Sequence, residues 1–426
     1  MTDDRAGSFT RRDFCKTAAA ASIAAAIPGV GVFAQGSDKF RVGVIGCGGR
    51  GTGAAIDCLN ADPAVEIVAL GDLVPDRVES SLKALTGKFP TRVNVPANRR
   101  FVGFDNYLGV CSCPEVNLIV TAAPPGFRPI HLKAAIEAGK HVFMEKPVAV
   151  DPVGVRSVIT TSELATAKGL AIVAGTQRRH QQLYLELMKR VHDGQIGDIV
   201  AAQCYWNQAD LWVKQREPNM TEIEWQCRNW LYFTWTSGDH IVEQHVHNID
   251  VANWAMGVMP KNVMGMGGRQ VRVAPQYGNI FDHFFVEFEY PNGVRVTSSC
   301  RQIKGCNDRV EERIVGTKGV AWSTSSATRI TGATPWTFEG EETNPYVQEH
   351  IDMIASIRKG APLNEGRQIA ESTLCAIMGR MSAYTGRALS WEWAMNTSKL
   401  DLSPKAYVLG PNPVDAVAVP GTTPLV

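Results

Sequence analysis

The sequence has no surplus of charge of either sign: 43 Lys and Arg stand against 42 Asp and Glu, a formal net charge of +1. A chain so balanced carries no broad cationic field, which argues against nucleic acid, an anionic membrane surface or any polyanion recognised by charge as its partner. Cysteine is sparse, ten irregularly spaced residues in 426, and that excludes a disulfide scaffold. Cys111-Ser112-Cys113 has no second pair at zinc-site spacing and is read as packing, with no metal expected. There is no internal repeat, and the alanine-rich run from Ala18 to Val32 is too short for stable membrane insertion. What is left is a globular composition, 45% hydrophobic and 20% charged, long enough for two or three domains.

Thr10-Arg11-Arg12-Asp13-Phe14-Cys15-Lys16, just before that run, reads as a twin-arginine export signal over 1–34, with Val32-Phe33-Ala34 supplying small residues for cleavage. The twin-arginine translocase is then a partner and the location is periplasmic or otherwise exported. Cys15 precedes the apolar run and is not placed as a lipoprotein cysteine. Because this route carries folded proteins, a cofactor loaded before export fits it. The compartment beyond has no obvious supply of free nucleotide, so such a cofactor stays tightly bound through each cycle.

The stretch around which the chain is organised runs from Arg41 to Gly51. Its apolar residues Val42, Val44 and Ile45 break into Gly46-Cys47-Gly48-Gly49-Arg50-Gly51, a G-x-G-x-x-G directly after a strand. The first glycine permits the turn, the second lets backbone N–H groups reach a pyrophosphate, and the third lets the following helix pack close. A second strand, Val65 to Leu70, leads to Asp72, about 20 residues beyond the loop, where an acid meets the ribose. Asp72 favours NAD over NADP, although Arg50 and Arg77 are near enough in sequence to weaken that choice. Further strands at Val116–Val120, His141–Met144 and Leu170–Val173 alternate with helices, so 38–175 is expected to be a doubly wound parallel Rossmann sheet. Pro124, Glu145 and Lys146 fall at strand ends that would line the cofactor.

From 176 to 402 the pattern changes. Strand-like runs at Asp198–Trp206, Asn262–Val273, Phe281–Tyr290, Gly293–Gln302, Val310–Val315 and Gly319–Ser323 follow one another without intervening helices, which predicts an α+β domain with an open, mostly antiparallel sheet. The tail, 403–426, is expected either to strap a surface or to lie loose. Within this half, Asp239, Glu243, His247 and Asp250 share one face of an expected helix. Glu243 one turn before His247 suits a proton-handling pair, and equally a solvated helical pair; His245 and His247, two apart, cannot converge on one ion. Trp206, Trp212, Trp225, Trp230 and Trp235 crowd the preceding segment and suit either sugar faces or a packed core. Arg178, after the last Rossmann strand, is a further substrate candidate.

Glycine loop, Glu145-Lys146-Pro147 with Lys140-His141-Val142 before it, and the acid-to-histidine helix, in this order, resemble the glucose–fructose oxidoreductase, inositol dehydrogenase and rhizopine-catabolism (Gfo/Idh/MocA) family over about Lys39 to Arg387. The resemblance implies a nicotinamide-binding Rossmann domain, an open sheet that builds a homo-oligomer (dimer or tetramer), and oxidation of a sugar or polyol hydroxyl. It makes Lys146 the family's lysine, His247 its histidine and Asp250 its downstream aspartate. Glu243 stands where an aspartate is usual, and His245 where glycine is common. On that reading His247 takes the hydroxyl proton, Lys146 stabilises the alkoxide, Glu243 orients His247, and Asp250, Arg178 and Trp206 face a small carbohydrate or glycoside. The alternatives are an NAD-dependent glycosidase working by oxidation, elimination and reduction, and a non-catalytic sugar-binding sensor on the same scaffold.

Overall fold

The computed structural model describes residues 39–426, so the arginine pair and the expected cleavage site lie outside the described residues. Strand β1 (Phe40–Ile45) is central because Val42, Val44 and Ile45 are fully buried and parallel neighbours flank it on both sides. With β2 (Val65–Asp72), β3 (Arg100–Val102), β4 (Leu118–Thr121), β5 (His141–Met144) and β6 (Ile172–Ala174) it forms a six-stranded sheet ordered β3-β2-β1-β4-β5-β6. The chain reverses direction across the sheet between β1 and β4, and the carboxyl ends there open a crevice. The irregular stretch from Phe89 to Arg100 ends by delivering the short edge strand β3 against Leu70–Asp72.

The second sheet holds nine strands. β7 (Ile199–Gln208), β8 (Asn262–Gly268), β9 (His283–Glu289), β10 (Arg295–Gln302), β11 (Arg309–Gly316) and β12 (Gly319–Ser323) fall where alternation places them. β13 (Thr328–Gly332), β14 (Trp336–Thr337) and β15 (Leu389–Ser390) extend the edges, giving the order β14-β13-β12-β11-β7-β10-β9-β8-β15. All pairs are antiparallel except β7 with β10. On one face Val286, Phe288, Val296 and Cys300 are buried. The opposite face of β8 and β9 exposes Met264, Met266 and Phe285.

The helix Gly366–Thr385, buried on nearly every side, packs on β8 and on the helix Pro152–Ala167, and so joins the two sheets. The tail is a strap, not a loose end: the Leu402 N–H donates to Asp151 Oδ2 (2.9 Å), the Gly421 N–H to Thr385 O (3.0 Å), and Ser398 Oγ to Val426 O (2.6 Å).

Candidate active site

β1 ends at Gly46, whose φ is +90° and where a Cβ would come within 2.4 Å of the Ala123 nitrogen. At Gly51 a Cβ would lie 1.7 Å from Gly46 O, so only glycine lets the helix Gly49–Ala61 abut the turn. Gly48 differs: its nearest neighbour would be Arg77 Nη1 at 3.6 Å, and it precedes the helix without a side-chain cap. Open space beside uncapped N–H groups suits an anion. Asp72 accepts from the N–H groups of Cys47 (2.7 Å) and Val74 (3.2 Å). Burial raises its carboxyl above the ordinary value, and Arg77 opposes the rise.

These groups, with Pro124, line a cleft of about 850 Å³. That is ample for a dinucleotide, since drug-sized ligands occupy roughly 300–1,000 Å³. A pocket of about 250 Å³ adjoins it through Arg50, Ala122, Ala123 and Trp230. β5 delivers Glu145 and Lys146 to this pocket, and the second domain delivers Glu243 and His247. Lys146 Nζ donates to Glu243 O (2.5 Å) and lies 3.3 Å from Glu243 Oε1, bridging the two halves. Arg50 Nε donates to Glu145 Oε1 at 2.5 Å. Gly175, after β6, makes room for that carboxylate, because a Cβ there would meet Glu145 Oε2 at 2.4 Å.

The single helix expected over Asp239–Asp250 is broken. Gly238 and Asp239 take φ of +77° and +72°, a short turn covers His240–Glu243, and a new helix begins at Val246 and runs to Met256. Asp239 is consumed structurally, accepting from the Phe281 and His240 N–H groups and the Tyr384 hydroxyl. With the helical register lost between them, Glu243 binds Lys146 instead of aligning His247, and the buried His247 Nδ1 has no hydrogen-bond partner among the described residues. His247 lies against the Trp206 ring, centroids 5.8 Å apart and planes 22° from parallel. Burial holds its pKa well below 6.5, and Lys146, Arg178 and Arg50 push the same way. The imidazole is therefore neutral near pH 7.

Asp250, Arg178 and Trp206, expected to face the substrate, do not line the pocket; Trp206 meets it only through the His247 ring. Asp250 receives both arms of Arg179 (2.7 and 2.9 Å) and Ser372 Oγ (2.7 Å). Arg178 is buried in an ion pair with Glu312, which also accepts from Asn248, Tyr184 and Ser323. The turn Gln177–His180 is thereby pinned twice, by Arg178 to strand β11 and by Arg179 to the helix Val246–Met256, because a guanidinium so enclosed needs a carboxylate partner. His245 is likewise structural, with Nε2 2.7 Å from Ser298 Oγ and a pKa pushed by burial to about 3. Sequence reasoning missed Tyr346, and in the segment Gln177-Arg178-Arg179-His180 after the last Rossmann strand it favoured Arg178 where Gln177 is the residue that faces the pocket. Tyr346 and Gln177 both line the small pocket, with Gln177 Nε2 donating to Tyr346 Oη at 3.4 Å. Tyr346 opens a helix (Pro345–Arg358) far along the chain from the glycine loop, and no local pattern marks it.

Comparison with known proteins follows the same division. Residues 40–176 match the family described as "Oxidoreductase family, NAD-binding Rossmann fold", and 184–322 match the "GFO/IDH/MocA C-terminal domain". The chain is 24% identical over 256 residues to an inositol 2-dehydrogenase/D-chiro-inositol 3-dehydrogenase of Lactiplantibacillus plantarum, covering 60% of this chain and 63% of that protein. A glycosyl hydrolase family 109 protein of Bacteroides fragilis is 34% identical over 135 residues, covering 32% of this chain and 28% of its own length. Among solved structures, aldose–aldose oxidoreductase from Caulobacter crescentus complexed with glycerol superposes with a TM-score of 0.65 at 19% identity, covering 83% of this chain and 99% of that one.

Proposed function

Because the chain belongs to the GFO/IDH/MocA oxidoreductase family, we infer that it oxidises a carbinol of a sugar or polyol at the junction of the two pockets. The observation that carries this reading is the convergence of Lys146 and His247, from different domains, on one pocket beside the nucleotide cleft. A nicotinamide dinucleotide, held by the glycine loop and Asp72, would supply the hydride acceptor when bound. His247, held neutral, accepts the hydroxyl proton at a ring nitrogen as the C–H bond breaks. Lys146, a compact ammonium fixed by Glu243, stabilises the negative charge growing on that oxygen. Trp206 holds the imidazole plane. At about 250 Å³ the pocket suits a single sugar ring.

The reading extends to NAD as the favoured dinucleotide, retained after export through the twin-arginine translocase to the periplasm, and to a homo-oligomer paired through the open sheet. A second reading, net glycoside hydrolysis by oxidation, elimination and return of the hydride, is supported by the 34% identity to the family 109 protein. Incubation with sugars, polyols and aryl glycosides, watching nicotinamide absorbance and released aglycone, separates the two. Lys146→Ala and His247→Ala are expected to bind NADH normally and to lose turnover by about 100-fold or more. Near-normal turnover in either variant contradicts the assignment.

A further inference from the structure

One wall of the large cleft does not come from the parallel sheet. Trp212, Lys214, Cys227, Arg228 and Trp230, from the segment after β7, form it. Residues 209–220 have almost no regular structure, yet their own domain fixes them. The Tyr232 hydroxyl lies 3.2 and 2.9 Å from the carbonyls of Leu211 and Trp212, the Lys214 N–H donates to Asn229 Oδ1 (2.9 Å), and Trp225 Nε1 donates to Lys214 O (2.9 Å). The segment is a preformed cover.

Besides an apolar cluster that packs Ile223 and Cys227 of the cover with Phe104 and Phe127, two polar ties hold the cover to the nucleotide-binding half. On one side Arg228, at the end of the helix Glu222–Arg228, donates to both oxygens of Asp76, at 3.2 and 2.9 Å. Asp76 sits in the first turn of the helix that follows β2. On the other side the C-terminal strap grips the same cover helix. Gly410 O accepts from the Ile223 N–H (3.3 Å), the Asn412 N–H donates to Glu222 Oε2 (2.9 Å), and Asn412 and Gln226 exchange two hydrogen bonds (2.6 and 2.7 Å). A few residues earlier the strap plants Tyr407 on Phe104 and Phe127, ring centroids 6.1 and 5.5 Å away. Phe104 and Phe127 line the cleft from the Rossmann side, so one short piece of chain touches both walls.

We propose that this strap and the Arg228–Asp76 pair form a retention clasp for the dinucleotide, whose release requires the cover to part from the Rossmann half. The proposal rests on reading the large cleft as the dinucleotide site. Lys214 on the cover and Arg77 on the opposite wall place a cation on each side of the cleft. A bound dinucleotide would bring its negative phosphates between cations of both walls, which would favour the closed clasp.

The test is a chase experiment on the full chain: load with NADH, add excess NAD, and follow the decay of NADH fluorescence. Arg228→Ala and Asn412→Ala are each expected to speed release by about tenfold, and a chain ending at Leu402 by more, with association changed far less. Asn412→Ala, which lines neither pocket, is expected to change release without changing the single-turnover rate of hydride transfer in enzyme preloaded with NAD. Release within about twofold of wild type in both point variants overturns the clasp, whether or not the truncated chain folds. A wild type that releases NADH as fast as the variants overturns it as well. A wild type that takes up no NADH at any concentration overturns the dinucleotide reading beneath it, and the absence of a loading signal tells that failure apart.

Discussion

Burial and three cations, Lys146, Arg178 and Arg50, all act on His247 in the same direction, toward the neutral ring. A base must be unprotonated to work, and a base whose pKa lies well below 6.5 is unprotonated across the neutral range. The kcat/KM profile is therefore expected to stay flat as pH falls from about 8 through 6.5, with any acidic limb below that point. A limb centred at or above 6.5 would contradict the environment described. In Lys146→Met one of those cations is gone, and the His247 ring, followed by NMR titration, is expected to titrate at higher pH than in the wild type. Lys146 was legible from sequence because it stands at the carboxyl end of a buried strand, a position fixed by local pattern. The partner of Glu243 was not, since a contact across two domains depends on a chain break that helical periodicity hides.

At the scale of elements, the glycine loop was readable because its constraint is local and steric. Gly51 cannot carry a Cβ, which would sit 1.7 Å from a backbone oxygen, whereas Gly49 would meet nothing within 4 Å. Gly51→Ala is expected to lower the melting temperature sharply and abolish NADH binding. Gly49→Ala, at a helix start, is expected to leave stability within about 1 kcal/mol of wild type. Thermal melts of the two variants side by side check the contrast, and equal losses would contradict it. The misread elements share a different cause. β14 and β15 hold two residues each, too few for an alternating pattern to register. Asp239 is held out of the helix at φ +72° by Phe281 and Tyr384 from distant segments, and the chain breaks again at Gln244–His245 before the helix restarts at Val246. Nothing within the helical pattern announces either departure.

Across the whole molecule, folding buries a set of histidines. His131, His245 and His350 are pushed by burial to about 3, and His141 to about 4. In the unfolded chain each binds a proton near 6.5, while in the folded protein it does not. Their contribution is complete above 6.5 and is lost as pH falls toward the folded values. His180 runs the other way: burial disfavours its charge, but Asp352 and Glu365 outweigh that and raise it to about 9. Its contribution is complete below 6.5 and fades as pH climbs through 9. With His240 and His247, which burial also lowers, six histidines oppose one, so histidine titration is expected to make the melting temperature fall more steeply from pH 6.5 to about 4 than from 7 to about 9. Asp239 offsets this in part, because its buried carboxyl is raised to about 6 and adds stability as pH falls through that value. His350 isolates the effect, because neither ring nitrogen has a hydrogen-bond partner among the described residues and the ring packs against Phe143 at 4.1 Å. His350→Leu removes one site of proton uptake on unfolding, and the slope of stability against pH below 6.5 should shrink by about one proton. An unchanged acid slope in that variant would show that His350 binds its proton equally in both states and that its burial carries no pH dependence.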